Sequence, residues 1–197
     1  MEKSYRGSFL GIIEMKSQNL KKASIDFKKI DYLRAGNEKQ KRAYKVLTKN
    51  RIMDLLKEFD PILVGTIPIN IDLEQSDLDI ICYFENKDRL EKLLTKEFGD
   101  AEKFKTWENT THTIPAIIAN FYLDGFEIEI FGQNIPTEEQ MGYRHMLVEY
   151  KLLEERGETF RQRIRELKAE GYKTEPAFAF ELGLEGDSYD ALLELEV

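Results

Sequence analysis

The chain has 197 residues, 42% hydrophobic and 34% charged, enough to bury one core and about the size of one domain with extensions. Its formal charge of -8 disfavours a large nucleic-acid partner, because a phosphate backbone rewards clustered Lys and Arg. The single cysteine, Cys82, excludes an internal disulfide framework and fits a reducing cytoplasm. The apolar run 9–13 is too short for a signal peptide and nothing approaches a membrane span, so a cytoplasmic protein with no membrane partner is expected.

Residues 1–30 mix Lys, Ser and isolated apolar positions and read as an N-terminal extension, followed by a core over 31–135 and a helical part of the same domain over 136–197. Asn37 with Gln40 three residues on forms a capping-box pattern. Ile52, Leu55, Leu56 and Phe59 recur at i, i+3, i+4 and i+7, so one helix is predicted from Asn37 to about Phe59. Asp60-Pro61 ends it, and Ile62-Leu63-Val64 is a short apolar strand closed by a turn at Gly65. Residues 78–84 form the next strand and residues 86–98 a helix, while 100–112 read as a loop. Two β-rich runs, 114–123 and 126–131, are joined by Asp124-Gly125, a strong hairpin signal. Thr137 starts a helix to about Gly157, a further helix covers roughly 158–170, and Thr174 and Asp187 cap two short helices. The class is α/β, or α+β with antiparallel strands: a small mixed sheet with flanking helices and extra helices at the C-terminal end.

Two acidic patterns carry the chemistry. Side chains alternate faces along a strand, so Asp77 and Asp79 point the same way. Carboxylates that close repel and raise each other's pKa, and a fold that keeps both ionised supplies a cation, for which hard oxygen ligands favour magnesium. Glu127 and Glu129 alternate with Phe126, Ile128 and Ile130 in the same manner. If the two strands are neighbours, the glutamates join the aspartates in a cluster able to hold two divalent ions for in-line displacement at phosphorus. The same alternation also describes an ordinary half-solvated strand.

Gly65-Thr66, ten intervening residues, and then Asp77-Leu78-Asp79-Ile80 resembles the signature of the nucleotidyltransferase superfamily, the polymerase-beta-like fold. More narrowly, residues 64–83, the Glu127–Gly132 strand and Tyr143-Arg144-His145-Met146 resemble an uncharacterised family of bacterial nucleotidyltransferase-like proteins. The resemblance implies that Gly65, Thr66 and Ser76 bind nucleotide, and that Asp77, Asp79 and Glu129 are catalytic and ligate two Mg2+ ions, with Glu127 as substitute for Glu129. It further implies transfer of a nucleoside monophosphate from a nucleoside triphosphate to a small-molecule or protein acceptor. Three features depart from the pattern: Thr66 stands where Ser or Gly is usual, Pro68 removes a backbone donor, and the third acid is Glu rather than Asp. These leave a non-catalytic binding module on the same fold as the alternative, and a two-metal phosphohydrolase as a third reading.

Arg144 and His145, on a helix just after the acidic strand, read either as a ligand for a triphosphate or an acidic acceptor and a general base, or as surface residues paired with Glu149 or Glu139. The basic run Lys39, Lys41, Arg42 and Lys45 reads either as a phosphate-binding group or as a solvated helix face. His112, among threonines with no second ligand at metal spacing, is not expected to be catalytic.

Overall fold

The computed structural model describes residues 25–110 and 114–195. A 3-10 turn at Asp31–Ala35 leads into α1 (Glu38–Lys49) and the short α2 (Ile52–Leu55). Strands β1 (Ile62–Val64) and β2 (Leu78–Tyr83) follow, then α3 (Lys87–Phe98), β3 (Glu102–Asn109), β4 (Ala116–Leu123) and β5 (Phe126–Gln133). The chain ends in α4 (Met141–Ala169), α5 (Thr174–Leu182) and α6 (Ser188–Leu193). The five strands form one mixed sheet in the order β1-β2-β5-β4-β3. Only the β2–β5 pair is parallel.

Each face of this sheet is apolar for a different reason. Leu78, Ile80 and Cys82 of β2, Ile128 and Ile130 of β5 and Phe121 of β4 point to one side, where α1 and α3 cover them with Leu47, Leu90, Leu94 and Phe98. Phe98 stacks on Phe121 with ring centroids 4.7 Å apart. The opposite face carries the acids at one end and Ile62, Val64 and Ile81 at the other, and α4 closes over the apolar end with Tyr143, Met146 and Leu153. The pleat thus places Ile81 two residues beyond Asp79 on the same face, so the acids stand at the edge of the helix-covered area. Phe27, before the first helix, is buried against Tyr32 and Tyr150.

The structure departs from the sequence reading in four places. The helix predicted over 37–59 breaks at Asn50-Arg51: Arg51 has φ +54°, and the Asn50 amide donates to the Val46 carbonyl at 3.0 Å and to Asp124 at 2.9 Å. Its predicted capping box is present, with Asn37 accepting from the Gln40 N–H and Gln40 from that of Asn37. Residues 102–109, expected as loop, form the edge strand β3, whose Lys103 and Lys105 disguise it because an edge strand tolerates charge on its open side. The Thr137 hydroxyl donates to Asp60 at 2.6 Å instead of capping, so residues 137–139 make a 3-10 turn and α4 begins after Gln140. Lys173 rather than Thr174 occupies the N-cap of α5. The remaining punctuation matches: Asp124 and Gly125 turn with φ +48° and +86°, Gly157 interrupts α4 at φ +79°, and Asp187 caps α6 through the N–H groups of Tyr189 and Asp190.

Candidate functional site

The acidic row is built by strand register. Asp79 of β2 is the direct partner of Glu129 on β5, and Glu129 is in turn the partner of Asn120 on β4. Neighbouring strands lie about 4.8 Å apart, so these side chains share one small area of the sheet face. Leu78 pairs with Ile128, which leaves Asp77, one residue before the ladder, level with Glu127. Glu127 is the partner of Tyr122, whose hydroxyl donates to it at 2.7 Å. The four acids named from the sequence therefore occupy two successive rungs.

Their electrostatics follow from partial burial without a counter-ion. Burial, then repulsion from Asp77 and Glu129, pushes the Asp79 carboxyl up to about 8. Burial raises Asp77 above the usual carboxylate range, with Glu127 adding repulsion, and raises Glu129 likewise, with Asp77 adding repulsion. The Asn120 amide hydrogen-bonds Glu129 and opposes that rise, while the Asn120 Oδ1 is buried without a partner.

The loop between β1 and β2 is pinned against this row. Gly65 has φ +81°, and a Cβ there would sit 2.2 Å from Asp79 Oδ2, so only glycine lets the backbone pass the carboxylate. Residues 66–70 make successive turns rather than a helix, in keeping with Pro68. Thr66 Oγ1 donates to Ser76 Oγ at 3.3 Å, and that oxygen accepts the Leu73 N–H at 2.9 Å. Side chains from two helices then take up the loop's carbonyls. Gln40 of α1 donates to Ile67 and Pro68 at 2.9 and 3.1 Å, and Lys39 donates to Leu73 and Glu74. From α4, Arg161 donates to Ile69, Arg165 to Asn70 at 2.5 Å and Lys168 to Ile71 at 2.8 Å.

A cavity of about 480 Å³ opens beside the row, with Gly65, Thr66, Asp79 and Glu129 in one wall. His145, Glu149, Thr174 and Glu175 form the opposite wall, and the exposed side chains of Ile114 and Met141 contribute to its lining. A second concavity of about 340 Å³ contains Ser76 and Glu127 together with Lys39, Arg42 and Tyr122. Ser76 and Glu127 thus line a different hollow from Gly65 and Thr66, although the Thr66 and Ser76 hydroxyls are in contact. Of the basic run, Lys39 and Arg42 reach that hollow, whereas Lys41 pairs with Glu38.

His145 is buried, donates its Nε2–H to the Tyr189 carbonyl at 3.0 Å, and packs edge-on against the Tyr189 ring, so it belongs to the packing of α4 against α6 as well as to the cavity wall. Arg144 is half-buried on α4 and lies outside the residues lining the cavity. His112 lies outside the described residues. The sequence reading did not single out Asn120, Glu149 or Lys168. Burial raises Glu149 to about 8 and lowers Lys168 to about 8. The only signal for Glu149 was a charge at a position where the helical period demands an apolar residue, between Val148 and Leu152.

Carboxylate oxygens are the donor type that magnesium prefers, and the register brings them to adjacent positions. As placed, however, no three His, Cys, Asp or Glu side chains among the described residues converge tightly enough to hold an ion. No helix among the described residues is long and apolar enough to cross a membrane.

Among solved structures, Cid1 poly(U) polymerase bound to MgATP superposes with a TM-score of 0.50 at 12% identity, over 77% of this chain and 47% of that one. The same polymerase bound to Mg 3'-dATP gives 0.49 at 16%, over 78% and 46%. A cytoplasmic RNA terminal U-transferase gives 0.45 at 13%, over 67% and 39%. The chain therefore spans less than half the length of these polymerase chains. At such identities the likeness concerns the fold: a five-stranded mixed sheet flanked by helices that resembles the nucleotidyltransferase fold. No curated protein matches the sequence. The family model described as Domain of unknown function (DUF4269) matches residues 45–195, so the chain belongs to the DUF4269 family.

Proposed function

We propose that this protein is a nucleotidyltransferase that moves a nucleoside monophosphate from a nucleoside triphosphate to a small-molecule or protein acceptor. The observation that carries the reading is the register that pairs Asp79 with Glu129, under a Gly65 backbone that passes close enough to Asp79 to exclude any side chain. A glycine turn against an acidic strand pair has no packing purpose in a merely solvated sheet. Further support comes from the fold, which resembles that of a poly(U) polymerase bound to MgATP.

Asp77, Asp79 and Glu129 are the residues that would hold magnesium, with side-chain adjustment on binding. Bound there, the metal would offset the burial and repulsion that raise all three carboxyls and would stabilise negative charge at phosphorus. The protein's own contribution is placement. Helices α1 and α4 pin residues 67–74, so Gly65, Thr66 and Ser76 present their N–H and hydroxyl groups from a loop that does not have to be ordered on binding. Lys39 and Arg42, beside Ser76, supply positive charge for an anionic nucleotide.

The test is incubation with ATP, GTP, CTP and UTP, each with and without magnesium, read by pyrophosphate release and by mass spectrometry of adducts. Magnesium-dependent release that disappears in Asp79→Asn is the expected result. Nucleotide affinity indifferent to magnesium, with no release, would replace the enzyme by a binding module, a reading favoured by the unconverged acids.

A further inference from the structure

The main cavity has a one-sided chemistry. Among the described residues its wall includes Asp79, Glu129, Glu149 and Glu175 and no Lys or Arg. The rest of the lining is mainly apolar, including Ile81, Phe131 and Met146. Glu149 and Glu175, on the helix side of the cavity, offer an anionic triphosphate no attraction, whereas the smaller hollow has Lys39 and Arg42.

A second observation is independent of the acid count. One acceptor of this wall, the Gln140 Oε1, is buried with no donor, and the Glu149 carboxyl lines the cavity with no side-chain cation bonded to it among the described residues. Glu149 is 4% exposed. Gln140 is 1% exposed; its amide donates to the Cys82 and Ile135 carbonyls, and its Oε1 is left without a donor. Buried acceptors normally have partners, and an orphan is destabilising. Lys168 does not fill the gap: its ammonium donates to the Ile71 carbonyl at 2.8 Å and does not line the cavity. Burial, then repulsion from Glu175, raises Glu149 to about 8, with the charge of Lys168 opposing the rise.

We infer that this cavity binds an organic cation, a protonated amine on an apolar body, with Glu149 and Glu175 facing the ammonium and the apolar wall holding the rest. This names the acceptor of the proposed transfer as an amine-bearing molecule, and it rests on that reading for the role of acceptor but not for binding. The cavity supplies what such a ligand needs: carboxylates for charge, Gln140 as a neutral acceptor, and hydrophobic side chains that desolvate the pair.

The experiment is calorimetric titration of the full chain in EDTA at pH 7 with three probes of one shape: phenethylammonium, phenethyl alcohol and 3-phenylpropanoate. The ammonium is expected to bind at least tenfold more tightly than either analogue. Glu149→Gln, with folding checked by its melting curve, should lose at least tenfold for the ammonium and nothing for the alcohol. Equal binding of ammonium and alcohol, no binding of any probe, or a folded Glu149→Gln that binds the ammonium as before would overturn the inference. If Glu149→Gln does not fold, Glu175→Gln on the opposite helix and the three-probe comparison on the unaltered protein decide it. The outcome is separable from the transfer chemistry. Ammonium binding without pyrophosphate release from any triphosphate would retain the cation site and sink the enzyme, and release without ammonium binding would do the reverse.

Discussion

Replacing Asp79 by Asn should stabilise the metal-free protein and flatten its pH dependence. The folded-state value of about 8 lies above the unfolded value of 3.8, so the folded protein keeps a proton that the unfolded chain releases between those limits. Stability therefore falls as pH rises from about 4 to 8 and levels off above. Each unit corresponds to ~1.4 kcal/mol, so at pH 7 the roughly three units already crossed set a ceiling of about 4 kcal/mol. Asp79 keeps part of its surface toward the cavity, and water entry there brings the expectation to roughly 2 kcal/mol. Asn cannot ionise and escapes that cost, so its melting point at pH 7 should be higher by roughly 4–8 °C for a chain of this size. The assay is urea denaturation in EDTA at pH 5, 6, 7 and 8. Wild type should lose stability across the series, and Asp79→Asn should lose less, the residue of the slope coming from Glu129 and Glu149. A variant no more stable than wild type at pH 8, with an unchanged slope, would refute the claim that Asp79 is held in an unfavourable site.

Gly65→Ala forces a side chain into φ +81° and against Asp79 Oδ2. It should cost about 1–2 kcal/mol from backbone strain alone, with pyrophosphate release falling further than stability does; full release at the wild-type melting point would show that the close approach is dispensable. Gln40→Ala removes one half of the capping box and the donors to Ile67 and Pro68, for a loss of roughly 2–3 kcal/mol by urea denaturation, and a loss below about 0.5 kcal/mol would contradict the pinning of the loop. Arg161→Ala removes the donor to the Ile69 carbonyl and one ion-pair partner of Glu154. Amide exchange over residues 66–76 should then quicken at least tenfold relative to the sheet, and unchanged protection would mean the loop is ordered by other contacts.

The legible parts of this molecule were those written in local chemistry. The capping box at Asn37, the Asp124-Gly125 turn, the Gly157 interruption and the Asp187 cap each depend on residues within a few positions of one another. So does the alternation that puts Asp77 with Asp79 and Glu127 with Glu129 on one face each. That these two faces are the same face is a fact of strand order, which no local pattern contains; the sequence supported it only as a condition and through a family resemblance. Strand β3 was missed because alternation is a burial signal, and an edge strand with both faces mostly exposed gives none. The helix break at Asn50 was missed because its cause is a side chain 74 residues away, Asp124 of the hairpin turn, reaching back to the Asn50 amide. The burial of Glu149 escaped the sequence for a related reason: there it reads as a pairing partner for Arg144 or His145 on a solvated helix of mixed charge, and the docking of α5 against α4 is not a local signal.

The placement of positive charge ties these features together. The cations nearest the acidic row already bond to the loop that carries Gly65 to Ser76: Lys39 to Leu73 and Glu74, Arg161 to Ile69, Arg165 to Asn70 and Lys168 to Ile71. They hold the backbone in place, and the charges of Lys39 and Lys168 offset only part of what burial and mutual repulsion do to the carboxylates, as the raised values of Asp79, Glu129 and Glu149 record. A chain selected only for stability would place one of those cations between the carboxylates or replace a carboxylate by an amide. Retaining both the acids and the rigid loop makes sense when the compensating charge arrives with the ligands, a divalent ion on the sheet side and an ammonium on the helix side. The stability forfeited in the empty protein then becomes binding energy when the site fills.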